Sequence, residues 1–313
     1  MTPPRYYDER REHGMRRARA GKRGYPDTYL PLARERGVRQ LGAFDPALKQ
    51  YDNAYRAGEP VFQDPETGRR WTEARRAALR HVLAVIAGTR SAGHLVLRGS
   101  AAMQAWVGDA ARDPGDLDFV VTPATITSDS VAARNLLADI TAGLHATPGA
   151  GLRPEDTAES AIWTYERADG RRLVIPFGAA GHPDGTVQVD VVFGEELPIP
   201  PEPITVLGLQ TPILAATAGL SLAWKLMWLA TDMYPQGKDL YDAVLLAEHT
   251  TVDLTLVRNL LRPELGTEAD DFGPESVLGW TYVDWRNFTD EYPGTEGTSA
   301  QWLSRLSSAL TRP

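Results

Sequence analysis

The segment Asp116-Leu117-Asp118-Phe119-Val120-Val121 constrains this chain more than any other. Side chains alternate along a strand, so Asp116 and Asp118 emerge on one face while Leu117 and Phe119 enter the core behind it. Two carboxylates side by side on a strand repel one another unless a cation neutralises them. Oxygen ligands completed by substrate phosphates suit Mg²⁺, and Mn²⁺ accepts the same donors. The spacing therefore predicts a divalent-metal site on a strand, with Asp116 and Asp118 as ligands.

Two further features stand with this pair. His94 to Leu97 is a short apolar run ending in Gly99-Ser100, and Ala101 to Ala111 reads as a helix, so the order is strand, tight turn, helix. Glycine lets the backbone approach a phosphate closely, and Ser100 with the following amides offers donors to an anion at a helix N-terminus. Such a turn suits a triphosphate tail. Asp190, in the strand-like run Val-Gln-Val-Asp-Val-Val, projects opposite to Val189 and Val191. If its strand lies beside the Asp-Leu-Asp strand, a third acid joins the cluster. Three acids can hold two metals that stabilise the attacking and leaving oxygens of an in-line displacement at phosphorus. A charge on an edge strand is the alternative for Asp190.

The rest of the chain supplies a frame. Thr72 to Thr89 has apolar residues at helical spacing, Leu117 to Thr122 is a strand, and Ser130 to Leu144 is a helix. Three strand candidates occupy residues 159–194, the first two joined by Ala168-Asp169-Gly170, a hairpin signal. From Pro212 the pattern turns helical, with Thr211 as N-cap and Pro212 at the first helical position. A helix over Lys238-Asp239-Leu240-Tyr241-Asp242 and beyond follows, then further helices whose Trp280, Trp285 and Trp302 are expected in the core. The division expected is a basic arm and extension over 1–70, a mixed-sheet core over 71–203 and a helical part over 204–313. Residues 203–224 carry no charge and match a bilayer in length, but their prolines, glycines and capping signal favour a buried helix over a membrane span.

Composition excludes several chemistries. The 313 residues contain no cysteine, which removes disulfides, thiolate zinc sites, iron-sulfur clusters and cysteine nucleophiles, and fits a cytoplasmic location. The six histidines show no close pairing at zinc-ligand spacing, and neither a Gly-x-Ser-x-Gly elbow nor a P-loop lysine motif is present. Net charge is −8, yet residues 1–50 hold twelve Lys/Arg against six Asp/Glu. Arg10, Arg11, Arg16, Arg17, Arg19, Lys22 and Arg23, interleaved with Tyr6, Tyr7 and Tyr25, form an arm that could follow a phosphate backbone and stack on bases; a solvated tail is the alternative.

The run from Leu95 to Trp106, followed by Arg112-Asp113-Pro114-Gly115-Asp116-Leu117-Asp118, resembles the GS…DxD signature of DNA polymerase β-like nucleotidyltransferases, and specifically the AbiEii/AbiGii toxin family, which includes MenT-like toxins. That family also carries a lysine inside a helix followed by a KDxxD motif, matched here by Lys225 and by Lys238-Asp239-Leu240-Tyr241-Asp242. The resemblance spans roughly residues 80–248. Arg98-Gly99-Ser100 stands where members often show Lys-Gly-Gly, and Gln236 where they often show arginine. The resemblance implies an α+β fold with a polymerase β-like mixed sheet and a C-terminal helical domain. It implies nucleotide binding by Arg98, Gly99, Ser100, Lys225 and Lys238, a phosphate within reach of Arg112, and Asp239 or Asp242 supporting or deprotonating the attacking hydroxyl. It further implies transfer of a nucleoside monophosphate from an NTP to RNA, at the tRNA 3′ end, by a toxin with an antitoxin partner; transfer to a small molecule or a protein hydroxyl is the alternative. Read from the residues alone, Lys225 in an apolar helix needs an anionic partner if buried, and otherwise snorkels to the surface. Asp239 also suits a helix-capping role, and Asp242 an exposed one.

Overall fold

The computed structural model describes Leu32 and residues 37–45, 55–162, 169–178 and 180–312. The basic arm, residues 163–167 of the first strand candidate and Ala168 of the hairpin turn lie outside the described residues. In chain order the elements are β1 (Val38–Arg39), β2 (Gly42–Phe44), β3 (Tyr55–Ala57), β4 (Val61–Phe62), α1 (Pro65–Gly88), β5 (Leu95–Arg98), α2 (Ser100–Val107), β6 (Leu117–Val121), α3 (Val131–Ala146), β7 (Ala158–Ile162), β8 (Gly170–Phe177) and β9 (Gly185–Val192). They continue with β10 (Glu202–Ile204), β11 (Ile213–Ala215), α4 (Ala218–Thr231), α5 (Gly237–His249), α6 (Leu254–Leu265), α7 (Trp285–Glu291) and α8 (Ser299–Leu310). The chain forms two compact units, one of residues up to Leu95 together with Gly115–Glu196, the other of Val96–Pro114 together with Leu197 onward. The strand-turn-helix segment that the linear division places in the core thus belongs to the second unit.

In the first unit β6 pairs parallel with β9, β9 antiparallel with β8, and β8 antiparallel with β7. Leu117, Phe119, Val120 and Val121 of β6 and Val187, Val189 and Val191 of β9 are buried, as expected for strands covered by helices. The helix α1 packs on α3 and on β9, and buries Leu79, Val82, Leu83 and Ile86. It begins well before Thr72, because the Asp64 carboxylate accepts from the Glu66 and Thr67 amides and Pro65 occupies the first helical position. Proline there loses no hydrogen bond the helix could have made, so Pro65 starts the helix instead of breaking it.

In the second unit β5 pairs parallel with β11, and β11 antiparallel with β10. The helices share a core in which Leu222, Leu226 and Leu229 meet Leu240, Val244, Val257 and Leu306. Trp280, Trp285 and Trp302 belong to that core; Trp302 lies 4.9 Å from Tyr241 and 5.2 Å from Trp285 between ring centroids. The expected helix from Pro212 is corrected: Ile213–Ala215 is a strand, the Ala216 amide donates to the Leu97 carbonyl, and the helix starts at Ala218 with Thr217 as its cap. Pairing with β5 outweighs the local helix signal of Thr211-Pro212. Among the described residues no helix is long and apolar enough to cross a membrane.

Candidate active site

The sequence-predicted residues divide between the two units. In the first, Asp118 of β6 stands directly opposite Asp190 of β9, and Asp190 opposite Arg172 of β8. A charged row thus crosses three strands on the face away from Val189 and Val191. Asp116 and Asp118 are half-buried. Asp190 is buried, and Arg172 grips it with both arms, Nε to Oδ1 at 2.8 Å and Nη2 to Oδ2 at 2.7 Å, while the Gln188 amide donates to Oδ2 at 3.2 Å. Burial pushes the Asp190 carboxyl above its ordinary value, Arg172 opposes this, and the charge of Asp116 adds to it. The strand adjacency on which a third acid depended is present, yet both oxygens of Asp190 are taken by Arg172. Among the described residues no group of three or more acids or histidines could hold a metal ion. Asp116 and Asp118 remain an oxygen donor pair that fits a divalent cation completed by substrate phosphates. Arg172 escaped sequence reasoning; its only signal was a charged residue at an inward position of an apolar strand.

In the second unit, Gly99 caps α2 with φ 73° and ψ −155°, a conformation that glycine adopts without strain and side-chain-bearing residues rarely do. Ser100 follows at the first helical position and is buried. Arg98 is buried too, its guanidinium 5.4 Å from the ring centroid of Trp224 and 5.9 Å from that of Trp228. Those tryptophans lie one turn apart on α4, so Arg98 lies against two indole rings of one helix face. Ser221 and Lys225 share that side of α4 by helical spacing. Among the described residues the buried Ser221 hydroxyl has no hydrogen-bond partner, and a bound ligand or a water would satisfy it. Lys238 is half-buried in the first turn of α5.

Lys225 is buried, so it does not snorkel, and its anionic partners belong to the protein. Its ammonium donates to Asp239 Oδ1 at 2.7 Å and stands 3.3 Å from Asp242 Oδ2. Asp242, for which an exposed position is the alternative to a role at the attacking hydroxyl, is wholly buried and also accepts from Arg112, Nε to Oδ1 at 3.2 Å and Nη2 to Oδ2 at 3.0 Å. Arg112, expected within reach of a phosphate, is thus engaged by a carboxylate. Burial alone would depress Lys225, but the charges of Asp239 and Asp242 outweigh it and hold the ammonium above its ordinary value. Burial likewise would raise Asp242, and Arg112 and Lys225 together pull it below. Four alternating charges therefore sit in low dielectric, each compensated by its neighbours.

Two cavities lie elsewhere. One of about 350 Å³ is lined by His81, Val85, Asp139 and Thr147, and one of about 600 Å³ by Asp284, Trp285, Arg286 and Thr298. None of the residues above lines either.

The mixed α+β chain thus carries a pair of acids at the start of β6 in one unit, and a glycine-serine turn opening α2 with a buried lysine-aspartate network in the other; the class these belong to is that of the nucleotidyltransferases. The chain belongs to the AbiEii family, described as nucleotidyl transferase AbiEii toxin of type IV toxin-antitoxin systems, whose model matches residues 62–305. MenT4, a nucleotidyltransferase toxin from Mycobacterium tuberculosis H37Rv, shares the fold with a TM-score of 0.51 at 18% identity, over 78% of this chain and 83% of that one. No curated protein matches the chain in sequence. Family membership implies an NTP substrate and an antitoxin partner.

Proposed function

We propose that this toxin transfers a nucleoside monophosphate from an NTP to RNA, at the 3′ end of tRNA, and so stops translation until its antitoxin intervenes. In this reading Asp116 and Asp118 hold Mg²⁺ or Mn²⁺, while Arg98, Gly99, Ser100 and Lys238 receive the nucleotide. A divalent cation bound there would neutralise phosphate charge as the reaction proceeds. Lys225 contacts the triphosphate and Asp239 takes the proton of the attacking hydroxyl. The acceptor oxygen bonds to the α-phosphorus, the bond from that phosphorus to the bridging oxygen breaks, and pyrophosphate leaves. Asp190, committed to Arg172, supports the acidic strand from its neighbour instead of binding the cation.

The observation that supports this reading is the pair Asp116 and Asp118, both half-buried, the first immediately before β6 and the second within it, carboxylate oxygens of the kind a divalent cation takes together with substrate phosphates. An RNA acceptor is supported by the basic, tyrosine-bearing arm. Incubation with labelled NTPs, Mg²⁺ and total tRNA tests it. Label is expected on tRNA with the wild-type chain and is expected to fall at least about a hundredfold in Asp116→Ala and in Asp118→Ala. Label absent from RNA, or indifferent to both changes, overturns the proposal.

A further inference from the structure

We propose that Arg112 and Asp242 are a positioning pair that holds Lys225 charged and in place, while Asp239 is the partner Lys225 exchanges for substrate phosphate. This rests on the function proposed above. The two carboxylates facing Lys225 come from one face of α5, three residues apart; both are buried, and they differ in how their oxygens are engaged. Asp242 is fully buried, both its oxygens are occupied, and one of them serves Arg112 and Lys225 together. Asp239 lies in the first turn of α5, with Oδ1 on Lys225. A buried ammonium cannot leave all its counter-charge at once, because an uncompensated charge in low dielectric is strongly destabilising. It can move from Asp239 to a phosphate only if Asp242 stays with it.

Asp242 in turn stays ionised because Arg112 spans both its oxygens, a planar fork that lysine does not reproduce. Such a carboxylate, held below its ordinary value by Arg112 and Lys225 against the effect of burial, is a poor proton acceptor. Release of Asp239 from Lys225 leaves Asp239 Oδ1 open to the attacking hydroxyl, while Asp242 keeps its cations. The segment carrying Arg112 is tied down at a second point, where the hydroxyl of Tyr241, the residue beside Asp242, donates to the Ala110 carbonyl at 2.9 Å. Two consecutive residues of α5 thus fix the stretch from which Arg112 reaches.

The test is a double-mutant cycle on NTP-dependent transfer, with Arg112→Met, Lys225→Met and the two combined. Misplacing Lys225 is expected to lower kcat in Arg112→Met by roughly tenfold to a hundredfold, with KM for NTP changed by less than about threefold. The combined variant is expected to match Lys225→Met alone, because Arg112 acts through Lys225. Multiplying effects, or a rise in KM with kcat kept, would make Arg112 a direct phosphate contact and overturn the proposal. Arg112→Lys, which keeps the charge but not the fork, is expected to recover only part of the loss. If the wild-type chain transfers nothing, the proposed function fails, and spectra of ¹⁵N-lysine protein still decide this inference. The chain has four lysines, so Lys225 is assignable by substitution. Its side-chain signal is expected to move in Arg112→Met and Asp242→Asn; a signal unmoved in both overturns the inference. Should Asp242→Asn fail to fold, Arg112→Met/Asp242→Leu removes both buried charges together and takes its place.

Discussion

At the scale of single residues, the buried charges make the molecule's stability depend on pH in a definite direction. Asp242 titrates below its ordinary value of 3.8 in the folded chain, so its contribution is fully present above that value and is lost as pH falls through the folded one. Lys225 titrates above 10.5, so its contribution is present below that value and lost as pH rises beyond it. Between roughly pH 5 and 10 both contributions are present. Asp242→Asn, which leaves Arg112 short of its counter-charge, is expected to cost about 3 to 5 kcal/mol at pH 7. Denaturant midpoints measured from pH 7 down to 3 are expected to fall less steeply in this variant than in the wild type. Equal slopes would mean that Asp242 titrates normally. What the sequence told about this network was the presence of its members: the lysine in an apolar helix, the paired acids of the next helix, the arginine ahead of the acidic strand. What it could not tell was the pairing, since Arg112 and Asp242 lie far apart in the chain and burial of Asp242 follows from packing around α5 as a whole.

At the scale of elements, periodicity located α3, α5, β6 and β9 closely, because each carries its own apolar face and its own cap or border. It failed where a partner decides. Ile213–Ala215 became a strand through its neighbour β5, and α1 began at Pro65 because a proline that looks like a breaker is compatible with the first turn. The Arg172–Asp190 pair was hidden for the same reason, since register across two strands is a property of neither strand alone. The start of α5 shows packing overruling propensity in a way that can be measured. A methyl group on Gly237 would lie 2.6 Å from the Phe288 Cβ and 2.8 Å from the Asp284 carbonyl oxygen. Alanine gains about 1 kcal/mol over glycine in a helix interior, but overpacking costs about 1 to 3 kcal/mol. Gly237→Ala is therefore expected to lose about 1 to 2 kcal/mol of stability, and with it the alignment of Asp239 two residues on. Gly88→Ala, at the open end of α1 with nothing within 4 Å, is the matched control and is expected to be neutral or slightly stabilising. Equal denaturant midpoints for the two variants would remove the packing argument.

At the scale of the whole molecule, charge is distributed against its average. The chain is net −8, yet its first fifty residues are basic, so everything after them is more acidic than the total suggests. An acidic body repels RNA, and proteins that bind a phosphate backbone do so by releasing condensed counterions in proportion to the cations engaged. An RNA acceptor therefore needs the arm, where residues 1–24 hold eight Lys/Arg. Each phosphate contact contributes about 0.7 to the slope of log affinity against log salt for a single strand. Removing residues 1–24 is expected to weaken labelling of tRNA and to make its salt dependence shallower, with KM for NTP unchanged because the residues proposed to hold the nucleotide, Gly99, Ser100 and Lys225, lie outside the deleted stretch. Labelling of RNA between 50 and 300 mM salt reads both effects at once. A slope and yield indifferent to the deletion would take the acceptor away from the arm and turn the search toward a hydroxyl on a small molecule or a protein, which an acidic surface does not repel.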